Sequence, residues 1–558
     1  MMAGIPQIKR WLAARDPALS ILVSITLVGL LARWIFVIGT ALPDDPGYAT
    51  PLFGFILRGG YPSLGDMGQA EFRPAWLLPI GASIHWLGWT AHGIALYPII
   101  TGGLIPLLTA LWLRRNLPRG SQAPVVCALI LAGYPVLFVD SLMWVNEVPL
   151  IFWSLLCVNL FGGAYARLAE SPHTACQHLS WLGFSVLAGA AFAAAYQVKV
   201  TALPILGIWL TTEVLLQVVR RGWPGRGRWI LLWAAAAVFL LPALGVQLFY
   251  QAKTGHFLGN IQAEMRMYAV KLPENYLSGN LQFHDLFFEY VEQLFLPFGP
   301  EGFQMLLHGI WMWVALGLGV VAGILWRWLP TPERSMAFVY FFSALGLFLF
   351  IEFWPFRLWP HYLPISFDGR PWRYTDVLAP PVAAFAAVVL TLPGVFDRWL
   401  LGALRVCLLS ACLGIAGYCT VVRYHEYEDS TADYRNAAAA GKTWLAPYCR
   451  LPQMIDEDGG EQFIEMLGWP EPTLLQTSPS RFLDLRGSPP VCIWTGGARR
   501  EGMSADRAWS PDRMKILGGD TVLIHTFAAL RRPWRFYLLQ LWLFRPTKMN
   551  PHDLRSQP

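Results

Sequence analysis

The chain alternates long apolar blocks with short polar or basic segments. A helix that crosses a bilayer needs about 20 mostly apolar residues, and blocks of that size recur along most of the chain. They begin near Ala18, Ile94, Pro124, Val148, Leu182, Thr201, Trp229, Leu306, Ser335, Asp376 and Trp399. The pattern predicts an all-α polytopic membrane protein with about eleven transmembrane helices.

A further apolar stretch at 75–89 is shorter than a full span and contains proline and histidine. Because it is only about 15 residues long, we predict a juxtamembrane or re-entrant helix there rather than a crossing. This choice matters, since one extra crossing would invert the orientation of every later helix.

Composition supports a membrane location. Of the 558 residues, 55% are hydrophobic and 14% are charged, whereas soluble domains carry about 25% charged residues. These values exclude an ordinary soluble enzyme, and they exclude disorder, which requires low hydrophobicity and high charge. The net charge of +6 is small for this length, and the basic residues cluster between apolar blocks. We therefore predict no nucleic-acid partner.

Basic residues in the short loops predict the orientation, because such loops stay on the cytoplasmic side of a membrane. With eleven spans, the clusters before the first helix and after the second, sixth and eighth helices all fall on one face. These clusters are Lys9, Arg10 and Arg15; Arg114, Arg115 and Arg119; Arg220, Arg221, Arg226 and Arg228; and Arg327 and Arg334. We expect a cytoplasmic amino terminus and a carboxyl terminus on the opposite side.

Two domains are predicted from a change in composition near residue 423, after which acidic residues, glycine, proline and serine become frequent. Residues 1–422 form the transmembrane domain, with outer loops at 41–93 and 252–303. Residues 423–558 form a small extracytoplasmic domain of mixed α/β structure. Within it, 521–527 is predicted to be a strand, and the aromatic segment 534–544, with its basic flanks, is predicted to lie on the membrane surface.

Adjacent carboxylates follow the first apolar block, at Asp44 and Asp45. They could simply cap a helix end or solvate a loop. Alternatively, paired carboxylates at a membrane surface could deprotonate a hydroxyl group or hold a divalent ion. A second acidic cluster, Asp140 and Glu147, flanks the next loop predicted on the same face. Two acidic loops on one face can converge on one cavity, which favours a catalytic function.

Several motifs occur in an order that resembles a known family. The chain is similar to the GT-C fold of polyprenyl-phosphate-sugar-dependent glycosyltransferases, in the branch of protein O-mannosyltransferase-like and aminoarabinose transferase-like enzymes. The motifs are Asp44-Asp45-x-x-Tyr48, residues 56–62 and 72–76 of the first outer loop, Asn146-Glu147-Val148-Pro149-Leu150, the glycine-containing helix that ends at Lys199, and Arg373-Tyr374 before Ala379-Pro380-Pro381. The chain departs from the family at Asp45, where the family more often has glutamate.

The resemblance implies a reaction and a set of site residues. The donor would be a polyprenyl-phosphate sugar, and the sugar would pass, with inversion, to a hydroxyl or amine of a glycan, glycolipid or protein acceptor. Asp44 would remove the acceptor proton, and Asp45 would orient the acceptor or bind an ion. Glu147, or less readily Asp140, would complete the acidic wall, and Tyr48 would contact the substrate.

The leaving lipid phosphate needs cations at the membrane surface, and the sequence offers several on the predicted outer face. They are Arg58, Arg73, Lys199, Arg370 and Arg373, with His361 nearby. Arg58 and Arg73 could instead extend to lipid headgroups. A divalent cation, Mg²⁺ or Mn²⁺, is compatible with Asp44 and Asp45 but is not required, because arginine and lysine can neutralise a phosphate.

Arg33 lies inside the first apolar block, where a charge is costly unless it is paired. We interpret Arg33 either as part of a structural ion pair or as part of a path for the lipid phosphate, and we leave it outside the candidate site.

The alternatives to an enzyme are a transporter and an assembly subunit. A transporter or flippase for a lipid-linked sugar predicts ionisable residues along a path through the membrane, and an assembly subunit would not need paired carboxylates. The acidic residues here lie at helix ends on one face, which favours the glycosyltransferase. The family branch places it in the bacterial inner membrane as a multi-pass protein, with its carboxyl-terminal domain periplasmic or extracellular.

Overall fold

The structure is a computed structural model and describes most of the apolar blocks. In the helical part it describes residues 17–39, 73–88, 90–118, 120–143, 145–169, 175–222, 226–259, 261–262, 310–324, 331–353, 355–357, 363–364, 375–392, 402–403, 406–422 and 424. Beyond these it describes the strands at 452–454, 491–500, 519–526, 530–531 and 535–546. The described residues fall into two compact units. The larger holds those within 1–36, 52–79 and 96–423, and the smaller holds those within 37–51, 80–95 and 424–558.

Helices dominate the described part of the chain. Their bounds are α1 Pro17–Ile35, α2 Pro74–Leu87, α3 Ala91–Asn116, α4 Ala123–Ala132, α5 Pro135–Asp140, α6 Glu147–Ala169, α7 Ala175–Val198, α8 Ala202–Arg221, α9 Arg226–Thr254, α10 Ile310–Ile324, α11 Thr331–Phe353, α12 Ala379–Leu390 and α13 Val406–Val422. A short hairpin of β1 Pro355–Arg357 and β2 Leu363–Pro364 follows α11, and a 3₁₀ turn, Thr375–Leu378, precedes α12.

Six of these helices are long and apolar enough to cross a membrane. They are Pro17–Ile35, Ala91–Asn116, Glu147–Arg167, Ser180–Val198, Ala202–Arg221 and Arg334–Phe353. Shorter apolar helices occur at Ala123–Ala132, Ala236–Ala252, Ile310–Ile324, Thr375–Leu390 and Val406–Val422. The prediction of a helical, multi-pass membrane protein is confirmed, while the number of crossings stays a prediction. The stretch at 75–89 forms α2, a helix of 14 residues.

The surface of α1 is typical of a helix that faces lipid. Leu27, Val28 and Leu31 are each about 60% exposed or more, because the surrounding hydrocarbon is as apolar as their side chains. The opposite face packs inward, where Leu22 meets Ala110 of α3 and Ala128 of α4.

The core of the larger unit lies around α12. All twelve residues of this alanine- and valine-rich helix are buried, and α12 contacts α4, α10 and α11. A helix that is apolar on every side belongs in the interior of a bundle, and its small side chains allow its neighbours to approach closely.

Gly189 permits one such close approach, between α7 and α9. A Cβ atom at this position would collide with the backbone carbonyl oxygen of Phe239 and lie 3.0 Å from Cδ of Pro242. We expect Gly189→Ala to lower the free energy of unfolding by about 1–3 kcal/mol, because carbonyl backbone cannot move aside as a side chain can.

Gly183→Ala is the matched control for this variant. It lies in the same helix, and a Cβ there meets no described atom within 4 Å. Alanine also has the higher helix propensity, so Gly183→Ala should be neutral or stabilising. Thermal unfolding in detergent micelles compares the two variants, and equal midpoints would contradict close packing of α7 on α9.

A five-stranded sheet makes up most of the described carboxyl-terminal region. Its strands are β3 Pro452–Met454, β4 Val491–Arg500, β5 Gly519–Thr526, β6 Leu530–Arg531 and β7 Arg535–Pro546. The order is β3-β4-β7-β5, with β6 also paired to β7. The β3–β4 pair is parallel, and β7 is antiparallel to β4, β5 and β6.

The sheet agrees with one prediction for this region and differs from another. The strand expected at 521–527 is present as β5. Residues 535–544 of the segment predicted to lie on the membrane surface belong instead to β7, which pairs with β4 and β5 on its two sides. A short aromatic and apolar run fits a strand as well as a membrane-surface segment. The helical part of the predicted α/β domain lies outside the described residues.

Candidate functional site

A buried ion pair joins two of the predicted site residues. Nζ of Lys199 donates a hydrogen bond of 2.7 Å to Oε1 of Glu147, and the two side chains are 6% and 2% exposed. Both residues lie at helix ends. Glu147 is the first residue of α6, and Lys199 directly follows the last residue of α7. The structure therefore brings the second acidic loop against the end of the glycine-containing helix.

The helix dipoles favour this arrangement. A carboxylate is stabilised at a helix amino terminus and an ammonium group at a helix carboxyl terminus. Backbone hydrogen bonds hold both helix ends. The N–H of Leu150 donates to the carbonyl oxygen of Asn146 at 3.1 Å, and the N–H of Lys199 donates to the carbonyl oxygen of Ala195 at 3.1 Å. Each charge thus sits at the helix end that its sign prefers.

A small cavity lies beside the ion pair, and apart from Thr201 its other lining residues are apolar. Its lining includes Leu150 of α6, Ile205 of α8, Ile351 of α11 and Val377 of the 3₁₀ turn, together with Glu147 and Lys199. The start of α6, the start of α8 and the end of α11 therefore meet at one end of the larger unit, which we call the Glu147 end. Apolar surroundings strengthen the attraction between the two charges because they screen it less than water does.

Further carboxylates are buried in the elements that form the Glu147 end. Asp140 closes α5 and is 1% exposed, while Glu352 near the end of α11 and Asp376 in the 3₁₀ turn are both fully buried. The 3₁₀ turn contacts α5 and α6. The Glu147 end is therefore rich in acidic side chains.

Sequence reasoning missed Glu352 and Asp376. A usable signal was present, because each is a carboxylate at the edge of an apolar block, the criterion that identified Asp140 and Glu147. Asp376 was treated only as the start of a span, and Glu352 as part of one.

Four of the predicted site residues lie in the described part of the chain. Glu147 and Lys199 are in direct contact, and Asp140 is buried at the end of α5. Arg73 directly precedes α2, where its carbonyl oxygen accepts hydrogen bonds from Trp76 and Leu77 at 2.9 Å. The others lie outside the described residues: Asp44, Asp45, Tyr48, Arg58, His361, Arg370 and Arg373. The expected phosphate contact of Lys199 stays a prediction, and the structure adds a carboxylate partner to that residue.

Glu147 is not suited to a divalent cation. The ammonium group of Lys199 lies 2.7 Å from Oε1 of this carboxylate, where it occupies the position of a metal and would repel one. Among the described residues, no group of three histidine, cysteine, aspartate or glutamate side chains could hold a metal ion. The described side chains do not fit a metal at this position, and a cation held by Asp44 and Asp45 stays a prediction.

A second buried polar cluster, the Glu213 network, lies away from the Glu147 end. Glu213 of α8 is fully buried and forms an ion pair of 2.9 Å with Arg115. Its carboxylate also accepts hydrogen bonds from Trp112 at 2.7 Å, Asn116 at 3.1 Å and Gln217 at 2.8 Å. Glu213 is 14 residues after Lys199, which corresponds to about 20 Å along a helix. The network joins α3 to α8 but is too distant to take part in the site.

Three solved structures, of two different proteins, resemble this chain at low sequence identity. ArnT from Cupriavidus metallidurans, bound to undecaprenyl phosphate, is 14% identical with a TM-score of 0.53, and the match covers 93% of this chain and 97% of that one. ArnT in the apo state gives the same values. The apo oligosaccharyltransferase of Archaeoglobus fulgidus is 15% identical with a TM-score of 0.49, covering 83% of this chain and 65% of that one. No protein-family model and no curated protein matches the sequence. The likeness to ArnT confirms the predicted GT-C fold.

Proposed function

We propose that this chain, which has the GT-C fold, is an inverting glycosyltransferase of the inner membrane. It would move a sugar from a polyprenyl-phosphate donor to a glycan, glycolipid or protein acceptor on the outer face. The observation that carries the proposal is the buried Glu147–Lys199 pair at the end where α6, α8 and α11 meet. It supports the proposal because it places the second acidic loop in a charged site at helix ends rather than along a path through the membrane.

The proposed reaction needs one general base and a cationic rim. Asp44 takes the proton of the acceptor hydroxyl or amine while the acceptor atom bonds to the anomeric carbon from the face opposite the phosphate. The bond between the anomeric carbon and the phosphate oxygen breaks, and its electron pair leaves with the lipid phosphate. Asp45 orients the acceptor.

The leaving phosphate is assigned to the predicted cations. Arginine suits this position because its planar guanidinium group binds two phosphate oxygens at once. We assign phosphate binding to Arg58, Arg73, Arg370 and Arg373, with His361 and Tyr48 near the sugar. No step in this mechanism requires a metal, because these side chains supply the positive charge.

In the proposed site, the role of Lys199 differs from that of these arginines. Its ammonium group holds Glu147 in place beside the small cavity. Glu147 and Asp140 together form the acidic wall that we propose beside the sugar. The wall stabilises the positive charge that develops on the sugar in the transition state.

Asp44→Asn tests the proposed function. The variant keeps the shape of the side chain but cannot take a proton, so we expect transfer to fall about 100-fold while the protein folds normally. The measurement is transfer of labelled sugar in membranes, after mass spectrometry of the co-purified lipid has identified the donor.

The matched control is Glu333→Gln, at the opposite end of α11 from Glu352, which should transfer at the wild-type rate. Unchanged transfer in Asp44→Asn at normal expression would remove Asp44 as the base. Movement of the lipid-linked sugar across proteoliposomes without any transfer would identify a transporter instead.

A further inference from the structure

Arg33 is a fully buried charge in the last turn of α1. It lies on the inward face of a helix whose other faces expose apolar residues such as Val28 and Leu31. A charge at this depth is costly, so its contacts must offset the loss of hydration.

Its contacts reach the segment before Glu147. Nε of Arg33 donates to Oγ of Ser141 at 2.7 Å, and the guanidinium carbon lies 4.6 Å from the centre of the Phe138 ring. Nη1 donates to the carbonyl oxygen of Gly29 at 3.2 Å. Oγ of Ser141 in turn donates to the carbonyl oxygen of Phe138 at 2.5 Å. One side chain therefore holds two residues on either side of Asp140.

Gly102 of α3 holds the same segment from another side. A Cβ atom at Gly102 would collide with Cβ of Ser141 and lie 3.1 Å from Cγ1 of Val148, the residue after Glu147. Ser141 and Val148 are thus held against α3, and Ser141 is also held by Arg33. Movement at Ser141 would be passed along only six residues to Glu147.

The sequence allowed two interpretations of Arg33, as part of a structural ion pair or as part of a path for the lipid phosphate. No carboxylate among the described residues forms an ion pair with Arg33. A path for a lipid phosphate would need an accessible cation, whereas Arg33 is fully buried. Neither interpretation accounts for the contacts with Ser141 and Phe138.

We propose that Arg33 is a positioning residue, which fixes the turn at Phe138–Ser141 and thereby sets the place of Glu147 against Lys199. The guanidinium group suits this task, since its Nε bonds to Ser141 while its central carbon lies over the ring of Phe138. The effect on catalysis rests on the proposed function, but the effect on the Glu147–Lys199 pair does not.

The test combines a chemical and a kinetic measurement on the full-length protein in nanodiscs. An amine-acylating reagent reports Lys199, which is buried against Glu147 in the wild type and should react slowly. In Arg33→Met we expect Lys199 to be acylated at least about 10-fold faster, and kcat per folded molecule to fall about 100-fold with little change in KM, as for a misplaced catalytic group.

Ser141→Ala and Thr26→Val complete the design. Ser141→Ala removes the acceptor of the Nε hydrogen bond. We expect it to raise the acylation rate of Lys199 and to lower kcat, each by about 10-fold. The double variant with Arg33→Met should show the same acylation rate and kcat as Arg33→Met alone. Arg33→Lys should keep only part of the wild-type kcat, because it retains the charge but lacks the planar group. Thr26→Val removes a buried hydrogen bond to Leu22 in the same helix and should change neither measurement.

Distinct outcomes separate the two proposals. Slow acylation of Lys199 and an unchanged kcat in Arg33→Met would overturn the positioning of Glu147 by Arg33. If Arg33→Met does not fold, Ser141→Ala decides by the same two readouts. A wild-type protein that transfers no sugar would refute the proposed function, and the acylation rates would still decide the role of Arg33.

Discussion

Lys199→Ala is expected to leave almost no active protein in the membrane. Removing the ammonium group leaves the Glu147 carboxylate buried without the partner that lies 2.7 Å away. Breaking one side of a buried ion pair costs about 3–5 kcal/mol, out of a total stability of about 5–15 kcal/mol for a typical protein. Thermal unfolding in detergent measures the loss of stability, and sugar transfer in membranes measures the loss of activity. We expect both losses to be large.

A double variant separates folding from catalysis at this pair. Glu147→Gln with Lys199→Met removes both charges of the pair, and replacing a whole ion pair by neutral groups is often neutral or stabilising. We expect the double variant to unfold near the wild-type temperature and yet to transfer sugar about 100-fold more slowly, since the acidic wall has lost the charge of Glu147. Near-normal transfer in this variant would show that the pair is structural only.

The sequence identified Glu147 and Lys199 separately, but it could not pair them. Local rules were sufficient for each residue, because a carboxylate and a lysine at the edges of apolar blocks are costly without a reason. Their contact spans 52 positions and depends on how α6 and α7 pack, which an apolar pattern does not encode. The apolar pattern shows which face of a helix is apolar, but it does not show which neighbouring helix packs against that face.

The residues that the sequence reading missed share one property. Glu352, Asp376 and Glu213 are all carboxylates within or at the edge of apolar blocks. Searching the loops for charge found Asp140 and overlooked these three, although an ionisable residue inside a span is itself a strong signal. The difference at β7 has another cause, since a short aromatic run has no periodicity that separates a strand from a surface segment.

Arg33 shows a third limit of the sequence. The sequence shows it inside the first apolar block, and the cost of a charge there was the reason to expect a partner. The partner turned out to be a serine hydroxyl and an aromatic ring. Neither carries a charge, so a search for charged residues could not have identified them; a guanidinium group can also be held by weak neutral contacts.

Glu213→Leu is expected to destabilise the protein as strongly as Lys199→Ala while leaving the chemistry intact. The substitution removes the carboxylate that accepts hydrogen bonds from Trp112 and Asn116 and pairs with Arg115. These donors would stay buried without their acceptor, which we expect to cost about 3–5 kcal/mol. Thermal unfolding in detergent micelles measures this loss.

Two comparisons make the prediction for the Glu213 network specific. Thr211→Val lies in the same helix and removes one exposed hydrogen bond to Gly207, so its midpoint should match the wild type. Arg115→Met combined with Glu213→Leu should recover part of the lost stability, because no charge is left behind. Since the network lies about 20 Å along α8 from Lys199, transfer per folded molecule should be unchanged in every variant. A fall in that rate would mean that the two ends of α8 are coupled, and that the Glu213 network contributes to catalysis as well as to folding.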